Sequence, residues 1–281
     1  MPRDIDGLTS WTLKHLRERW WDASFTSFLR ENLQPRAGNR ILDVGCGAGT
    51  AELNLGLLRL SQVDLVGVDI LIDRVREALA ATRAHNIRAG YAVADGCLLP
   101  FANGSFDSTF CVAVLQHLRD VPGALREFAR VTKAGGRVLA VEPDNGARYW
   151  YSSVESGTRA FEAGAHFFAT LAQARGDMTD PSVGPKLPGM FSRCSIQPLA
   201  VHLFPVSVSR LGAPSPAVWE ARRASVREAI AKAPDEAIRR LRADYLKQLD
   251  RYAEDAAAAG PSFVEIQNTM LFATVGQRIE E

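Results

Sequence analysis

The sequence has few cysteines and no pattern that would use them together. Its four cysteines, among 281 residues, form no Cys-x-x-Cys pair and have no zinc-ligand spacing, so we expect neither a disulfide framework nor a metal site. No uncharged apolar run reaches about 18 residues, the length that would predict a membrane-spanning helix. The charged opening from Met1 to Asp6 is unlike a secretory leader. Together these features favour the reducing cytoplasm.

An excess of charge of either sign is also missing. The 33 basic and 32 acidic residues leave a formal net charge of +1, which gives no electrostatic footprint for nucleic acid. The chain is nevertheless long enough to bury a large core, and 47% of its residues are hydrophobic. We therefore expect a substrate that is a small molecule or a local protein segment, and no nucleic acid partner.

A glycine-rich loop follows the first strand-like apolar run. Residues 41–50 read Ile-Leu-Asp-Val-Gly-Cys-Gly-Ala-Gly-Thr, with an acid, Asp43, two residues before the first glycine. Glycines in this position let the backbone turn sharply off a strand and approach a ligand closely. The three glycines fall at alternate positions, at Gly45, Gly47 and Gly49. The pattern predicts a loop that holds a cofactor.

The spacing of this loop favours one class of nucleoside. Dinucleotide-binding proteins use G-x-G-x-x-G and direct a pyrophosphate to a helix N-terminus, whereas this loop reads G-x-G-x-G. The carboxylate of Asp43 would repel a pyrophosphate but attract an ammonium or sulfonium group. A second apolar run, Val63 to Val68, ends in Asp69, where a carboxylate can accept the hydroxyls of a ribose. We therefore expect a cationic nucleoside, with a nicotinamide-dependent oxidoreductase as the less favoured alternative.

These motifs resemble those of the class I S-adenosylmethionine-dependent methyltransferases, and most closely the ubiquinone and menaquinone biosynthesis (type 11) branch. The resemblance covers residues 38–144 without a gap, including Ala94-Asp95-Gly96 after a third strand and Ala134 to Glu142 as a fifth. It implies an α/β fold with a Rossmann-like doubly wound sheet, strand order 3-2-1-4-5-7-6 and an antiparallel last strand. It also implies S-adenosyl-L-methionine as cofactor and S-adenosyl-L-homocysteine as product.

The resemblance further implies which residues hold the cofactor. The Asp95 side chain would meet the adenine amino group, the backbone N–H that follows it would meet a ring nitrogen, and Asp69 would bind the ribose. The full set implied is Asp43, Gly45, Cys46, Gly47, Gly49, Asp69, Ile70, Asp95, Gly96, Val112 and His117. For Cys46, a small side chain that fits between two glycines is favoured over redox chemistry.

Methyl transfer asks for alignment and exclusion of water more than for acids and bases. A base is needed only for a protonated nucleophile, and the candidates near the ends of strands four and five are Gln116, His117, Glu142 and Asp144. His117 is the candidate catalytic residue, because imidazole titrates near neutral pH. The alternative is that His117 forms part of the wall of the cofactor pocket, and both interpretations stay open.

We expect one methyltransferase domain over residues 1–281, in which 38–144 form the cofactor-binding core. The additions to this core are a helical cover at 1–37, a helix and loop at 145–195, and a helical insertion at 213–260 between the last two strands. These additions would supply aromatic side chains to a substrate pocket.

The insertion contains two apolar stripes at helical spacing, separated by Pro234. They predict two amphipathic helices that act as a substrate cap or as a homodimer contact. The charged residues around the stripes, Arg222 and Arg223 among them, nearly cancel and predict a solvent-exposed face with salt bridges. The stripes comprise Trp219, Val226 and Ile230, and then Ile238, Leu241, Tyr245, Leu249 and Tyr252.

The predicted function is transfer of a methyl group to oxygen, nitrogen or carbon of a small, partly hydrophobic metabolite. A protein that binds S-adenosylmethionine without transferring its methyl group, as a cyclase, decarboxylase or sensor, is the alternative. Production of S-adenosylhomocysteine would distinguish the two.

Overall fold

A computed structural model describes residues 20–57, 62–176, 179–229 and 236–280 of the chain. Within these ranges, strands and helices alternate through the first half. The helices are α1 (Ala23–Leu33), α2 (Thr50–Leu57), α3 (Ile72–Ala84), α4 (Val121–Val131), α5 (Glu155–Ala174), α6 (Leu187–Ser192), α7 (Pro216–Glu228) and α8 (Glu236–Ala259). The strands are β1 (Arg40–Val44), β2 (Asp64–Asp69), β3 (Ala89–Val93), β4 (Phe106–Val112), β5 (Thr132–Ser152), β6 (Ile196–Leu211) and β7 (Val264–Arg278).

The strands form one seven-stranded sheet in the order β3-β2-β1-β4-β5-β7-β6. The pairs β1–β2, β2–β3, β1–β4 and β4–β5 are parallel, and the last strands are antiparallel. The predicted fold and strand order are therefore confirmed. Because β1 is flanked by β2 on one side and β4 on the other, the chain changes direction there, and ligands of such sheets bind at the carboxyl ends beside this point.

The central strands are buried nearly throughout, as expected for parallel strands covered on both faces. Leu42 in β1, Val68 in β2 and Val141 in β5 are essentially inaccessible to solvent. Helix α4 covers this sheet with a strongly one-sided apolar face that includes Leu125 and Phe128. Its start is fixed by the Asp120 side chain, which accepts a hydrogen bond of 2.7 Å from the Gly123 N–H.

The chain divides into two compact units. The sheet unit contains residues 21–146, 179–204 and 270–280, and it includes the first four strands with their helices. The helical unit contains Trp20 and the described residues of 147–176, 205–229 and 236–269, and it includes α5, α7 and α8. The polypeptide passes between the two units after residues 20, 146, 178, 204 and 269.

The helical unit has a core of its own, in which α5 packs along α8. Tyr245 of α8 lies 6.1 Å from the rings of both Phe167 and Phe168 of α5. The predicted apolar stripes are the side chains that fill this core, since Trp219, Val226, Ile238, Tyr245, Leu249 and Tyr252 are all buried. Leu241 is partly buried against them, whereas Ile230 and Pro234 lie outside the described residues.

The charges of the insertion divide into an exposed and a buried set. Arg223 pairs with Asp250 at 2.7 Å on the surface, as the pattern predicted. Arg222 differs, because its guanidinium lies 2.6 Å from the buried carboxylate of Glu265 and 4.6 Å from the centre of the Trp219 ring. Glu265 also accepts a hydrogen bond of 2.7 Å from Tyr252. This ion pair belongs to the core of the helical unit and not to its solvated face.

Two predicted segments differ in extent from the structure. In the segment 145–195, β5 continues to Ser152, so the aromatic run Tyr149–Tyr151 is a strand, the conformation that aromatic residues favour. Its predicted loop contains the short helix α6, which has Pro188 in its first turn. In the N-terminal cover, α1 begins after Asp22, and Trp11 and Leu16 lie outside the described residues. None of the described helices is both long and apolar enough to cross a membrane.

Candidate cofactor-binding site

The loop after β1 requires glycine at two positions for steric reasons. Gly45 has φ +78° and Gly49 has φ +80°, values that L side chains rarely adopt. A Cβ on Gly45 would lie 2.4 Å from Cγ2 of Val114, and one on Gly49 would lie 3.0 Å from Cβ of Ala78. The backbone N–H groups of Gly45 and Cys46 both donate to the Val68 carbonyl, at 2.7 and 2.9 Å. The loop is thus tied to the end of β2.

Gly47 differs from its two neighbouring glycines. It also has a left-handed φ of +53°, but no atom lies within 4 Å of the place where a Cβ would be. The Gly47 backbone therefore borders open space, which a ligand can fill at close range. Its N–H donates to Oδ2 of Asp69 at 3.0 Å.

Asp69 stands at the end of β2 and is held by two backbone donors. Besides Gly47, the Leu71 N–H donates to its Oδ1 at 2.9 Å. A carboxylate has about four lone-pair sites, so two remain for further donors. Two adjacent hydroxyl groups, as on a ribose, can use both of them. The structure places this acceptor beside the open face of Gly47.

A second, apolar surface lies at the ends of β2 and β3. Ile70 is 63% exposed and Leu98 is 76% exposed, unusually high values for large apolar side chains. Asp95 lies in the turn before Leu98, is exposed, and accepts a hydrogen bond of 2.8 Å from the Cys97 N–H through Oδ1. Gly96, which follows Asp95 in the chain, packs closely, since a Cβ there would lie 3.1 Å from Cγ1 of Val44. Exposed apolar side chains beside an acceptor suit a flat heteroaromatic ring with an amino group.

A buried acidic pair lies beneath the loop. Asp43 is 5% exposed and Glu52, in α2, is 2% exposed. Burial, and then the charges of Glu52 and Asp69, raise the pKa of Asp43, while burial raises the pKa of Glu52 to about 7. Neither Glu52 oxygen has a hydrogen-bond partner among the described residues. Uncompensated acids of this kind favour a cationic ligand over an anionic one.

Glu52 was missed by the sequence analysis. The signal that could have found it is an acid two residues into the helix that follows the loop, at a position whose neighbours Ala51 and Leu55 are buried. Cys46 lies near the same group, and burial raises the pKa of its thiol. A neutral, buried thiol agrees with the interpretation of Cys46 as a small packing residue.

The candidate catalytic residues lie just after β4 and in the middle of β5, where Asp144 is half-buried two residues after Glu142. His117 is exposed and ends the 3₁₀ turn Leu115–His117, and Val112 is half-buried at the end of β4. Gln116 is buried, and its Oε1 accepts a hydrogen bond of 2.9 Å from Asn145. Glu142 is fully buried and accepts backbone N–H groups, so it is poorly placed to take a substrate proton. Base and pocket wall both remain predictions for His117.

Comparison with known proteins agrees with this geometry. Residues 42–140 match the protein family described as "Methyltransferase domain". This segment is therefore similar to methyltransferase domains. The match contains the loop of Gly45 to Gly49 together with Asp69 and Asp95. Members of the family use S-adenosylmethionine.

One relative of the methyltransferase domain is the ubiquinone biosynthesis O-methyltransferase of Ralstonia nicotianae. It is 33% identical over 140 residues, which cover 44% of this chain and 56% of the relative. The chain spans about half or less of the length of the curated relatives it matches.

Two solved structures share the fold. YcgJ from Bacillus subtilis has a TM-score of 0.54 at 20% identity, and the match covers 91% of this chain and 98% of YcgJ. The [4+2]-cyclase SpnF has a TM-score of 0.53 at 18% identity, with 98% of this chain and 85% of SpnF covered. At these identities the similarity establishes the fold alone.

Proposed function

We propose that this chain binds S-adenosylmethionine at the loop of Gly45 to Gly49 and transfers its methyl group to a small, partly hydrophobic metabolite. The observation that carries the proposal is the open face of Gly47 beside the Asp69 carboxylate, in the loop that follows the buried Asp43. The oxygens of the buried Glu52 have no hydrogen-bond partner among the described residues. These features fit a nucleoside that carries positive charge. The pyrophosphate of a nicotinamide cofactor would meet repulsion from the same acids.

In this proposal, each group of the site has a separate task. Asp69 accepts the ribose hydroxyls, Asp95 accepts the adenine amino group, and Ile70 covers the ring. Burial raises the pKa values of Asp43 and Glu52, and the cationic end of the cofactor would lower them again and favour the ionised forms of both acids. The bound cofactor supplies an electrophilic methyl group on a sulfonium, whose departure needs no acid.

The protein's part in the chemistry is then mainly to align the acceptor and to exclude water, contributions worth up to roughly 7–11 kcal/mol in well-oriented systems. The acceptor is an oxygen, nitrogen or carbon nucleophile. If the nucleophile carries a proton, His117 would remove it at an imidazole nitrogen. If it does not, His117 serves as pocket wall.

A second candidate is a protein that binds the cofactor without transferring the methyl group. The [4+2]-cyclase SpnF shares the fold, so the fold alone does not decide between the two candidates. Incubation with S-adenosylmethionine and a panel of phenols, amines and polyketide-like acids separates the two candidates. Transfer produces S-adenosylhomocysteine in step with a methylated acceptor, whereas the alternative produces neither.

The binding partners and the cellular location of the protein are also proposals. We propose a small-molecule substrate, no nucleic acid partner, and a cytoplasmic protein. A homodimer formed through the helical insertion would have to use its polar faces, because the apolar stripes already fill the core of the helical unit. Light scattering of the wild type would determine the oligomeric state.

The binding step is tested by calorimetric titration with S-adenosylhomocysteine and with NAD. Asp69→Asn keeps one oxygen for the loop but removes the charge, so affinity should fall by roughly 1.5–3 kcal/mol for a lost charge-assisted bond. The matched control is Asp64→Asn, at the opposite end of β2, where the carboxylate forms an exposed pair with Arg40. Equal affinities for the two variants, or tight binding of NAD, would contradict the proposal.

A further inference from the structure

The end of β4 contains a residue in an unfavourable backbone conformation. Ala113 has φ +57°, although it is not glycine, and it is 8% exposed. Alanine in this left-handed region brings its Cβ close to its own backbone, so the conformation persists only where neighbouring interactions hold it. The Ala113 N–H still donates to the Val141 carbonyl at 2.8 Å, as part of the sheet. The strain therefore begins immediately after the last bond of the strand.

The interaction that holds the turn comes from β5. The carboxylate of Glu142 accepts the N–H of Val114 and the N–H of Leu115 through Oε1, both at 2.7 Å, and the N–H of Gln116 through Oε2 at 3.3 Å. Glu142 is fully buried, and the thiol of Cys111 lies 3.8 Å from Oε1. Three consecutive backbone donors thus meet one carboxylate out of contact with water, where such bonds are strong.

The clamped turn touches the cofactor loop. The Val114 side chain occupies the place where a Cβ on Gly45 would be, with Cγ2 2.4 Å and Cγ1 2.9 Å from that position. The path of the loop through Gly45 is therefore set by the position of Val114. That position in turn depends on the backbone bonds to Glu142.

We propose that Glu142 is a positioning residue for the cofactor loop, which it acts on through the 113–116 turn. Its carboxylate stabilises the strained conformation of Ala113 and so fixes Val114 against Gly45. This inference rests on the proposed function insofar as the loop binds S-adenosylmethionine. The clamp itself is a property of the chain without ligand.

The role is tested first by Glu142→Gln, which replaces an acceptor oxygen by an NH₂ group that cannot accept the turn's N–H groups. We expect affinity for S-adenosylhomocysteine to fall by on the order of tenfold, because charge-assisted bonds to the turn are lost. The control is Thr132→Val, in the same strand as Glu142. It removes the buried hydroxyl bonds to Thr109 and Phe128 and leaves the turn intact. It should lower stability but leave the affinity unchanged. Equal losses in both variants would overturn the proposal.

A rescue experiment separates positioning from general support of the core. If Glu142 acts by holding Ala113 in its left-handed conformation, the double variant Ala113→Gly with Glu142→Gln should regain most of the lost affinity, since glycine adopts that conformation without strain. No recovery would mean that Glu142 acts in another way and would overturn the inference.

Hydrogen exchange in the absence of ligand tests the clamp independently of function. The amides of Val114 to Gln116 should exchange at least tenfold faster in Glu142→Gln than in the wild type, and Thr132→Val should show no such local change. Unchanged exchange would overturn the clamp. Wild-type protein that fails to bind S-adenosylhomocysteine would overturn the proposed function, whereas the exchange result would still decide the clamp.

Should Glu142→Gln fail to fold, the single variant Ala113→Gly takes its place, with Ala129→Gly in α4 as the matched control. Both remove one buried methyl group, but Ala129 is helical. Relief of strain should make Ala113→Gly clearly less destabilising than Ala129→Gly in urea unfolding. An equal or larger loss would overturn the inference.

Discussion

Gly45 and Gly47 lie only two residues apart, but substitution by alanine should mainly lower stability at Gly45 and mainly lower ligand affinity at Gly47. In Gly45→Ala, the left-handed backbone costs about 1–2 kcal/mol. The clash with Val114, at 2.4 Å, adds about 1–3 kcal/mol of overpacking. The sum, roughly 2–5 kcal/mol, is a large part of the typical stability of a domain, about 5–15 kcal/mol. We expect Gly45→Ala to be marginally folded.

Gly47→Ala should lose less stability than Gly45→Ala. It carries the same backbone cost of about 1–2 kcal/mol, but its new methyl group meets no atom within 4 Å. That methyl group occupies the space assigned to the ligand. We therefore expect the affinity for S-adenosylhomocysteine to fall at least about tenfold, or about 1.4 kcal/mol.

The assay is urea unfolding together with calorimetric titration on both variants. We expect the main effect of Gly45→Ala to be a loss of stability and that of Gly47→Ala to be a loss of affinity. If Gly47→Ala bound S-adenosylhomocysteine as tightly as the wild type, the ligand could not approach the loop at Gly47, and the assignment of the site would be wrong.

Three further predictions concern acid and base groups. Burial raises the pKa of Glu52 to about 7, so between about pH 4.5 and pH 7 the folded chain binds more protons than the unfolded chain, and the free energy of unfolding falls as pH rises. Glu52→Gln should reduce this fall by about 3 kcal/mol in urea unfolding, and an unchanged dependence of the unfolding free energy on pH would contradict the prediction. Asp95→Asn should shift the preference from S-adenosylhomocysteine towards its inosine analogue, because the new NH₂ faces the ring substituent; retained discrimination would move the adenine contact elsewhere. His117→Ala should lower binding and turnover modestly with the pH profile preserved, whereas a loss of about 100-fold in turnover alone, together with the acidic limb of the profile, would identify a base.

The parts of the fold that could be predicted from the sequence are those with local signals. The alternating glycines of the loop, the strand that ends in Asp69 and the turn at Asp95 each follow from residues adjacent in the chain. Their order along 38–144 carries the resemblance to the methyltransferases, which in turn implied the strand order that the sheet has. The two amphipathic helices of the insertion followed from spacing in the same way, as shown by the burial of Tyr245 and Leu249.

The residues that could not be predicted depend on contacts between distant segments. Glu142 was one of several polar residues near the strand ends, and nothing in its own segment shows that it accepts three N–H groups from residues 26–28 positions earlier. Arg222 was grouped with exposed charges because its neighbours are charged, while its partner Glu265 lies 43 positions away. Such pairings become visible only when the fold brings the segments together.

The central claim is that the loop of Gly45 to Gly49 holds S-adenosylmethionine. A crystal structure of the wild type grown with S-adenosylhomocysteine tests it most directly. We expect the ribose hydroxyls to lie within hydrogen-bond distance of the Asp69 carboxylate, and the nucleoside to pass over Gly47 with its adenine beside Asp95 and Ile70. A ligand bound away from Gly47 and Asp69, or crystals that never take it up at saturating concentration, would contradict the account.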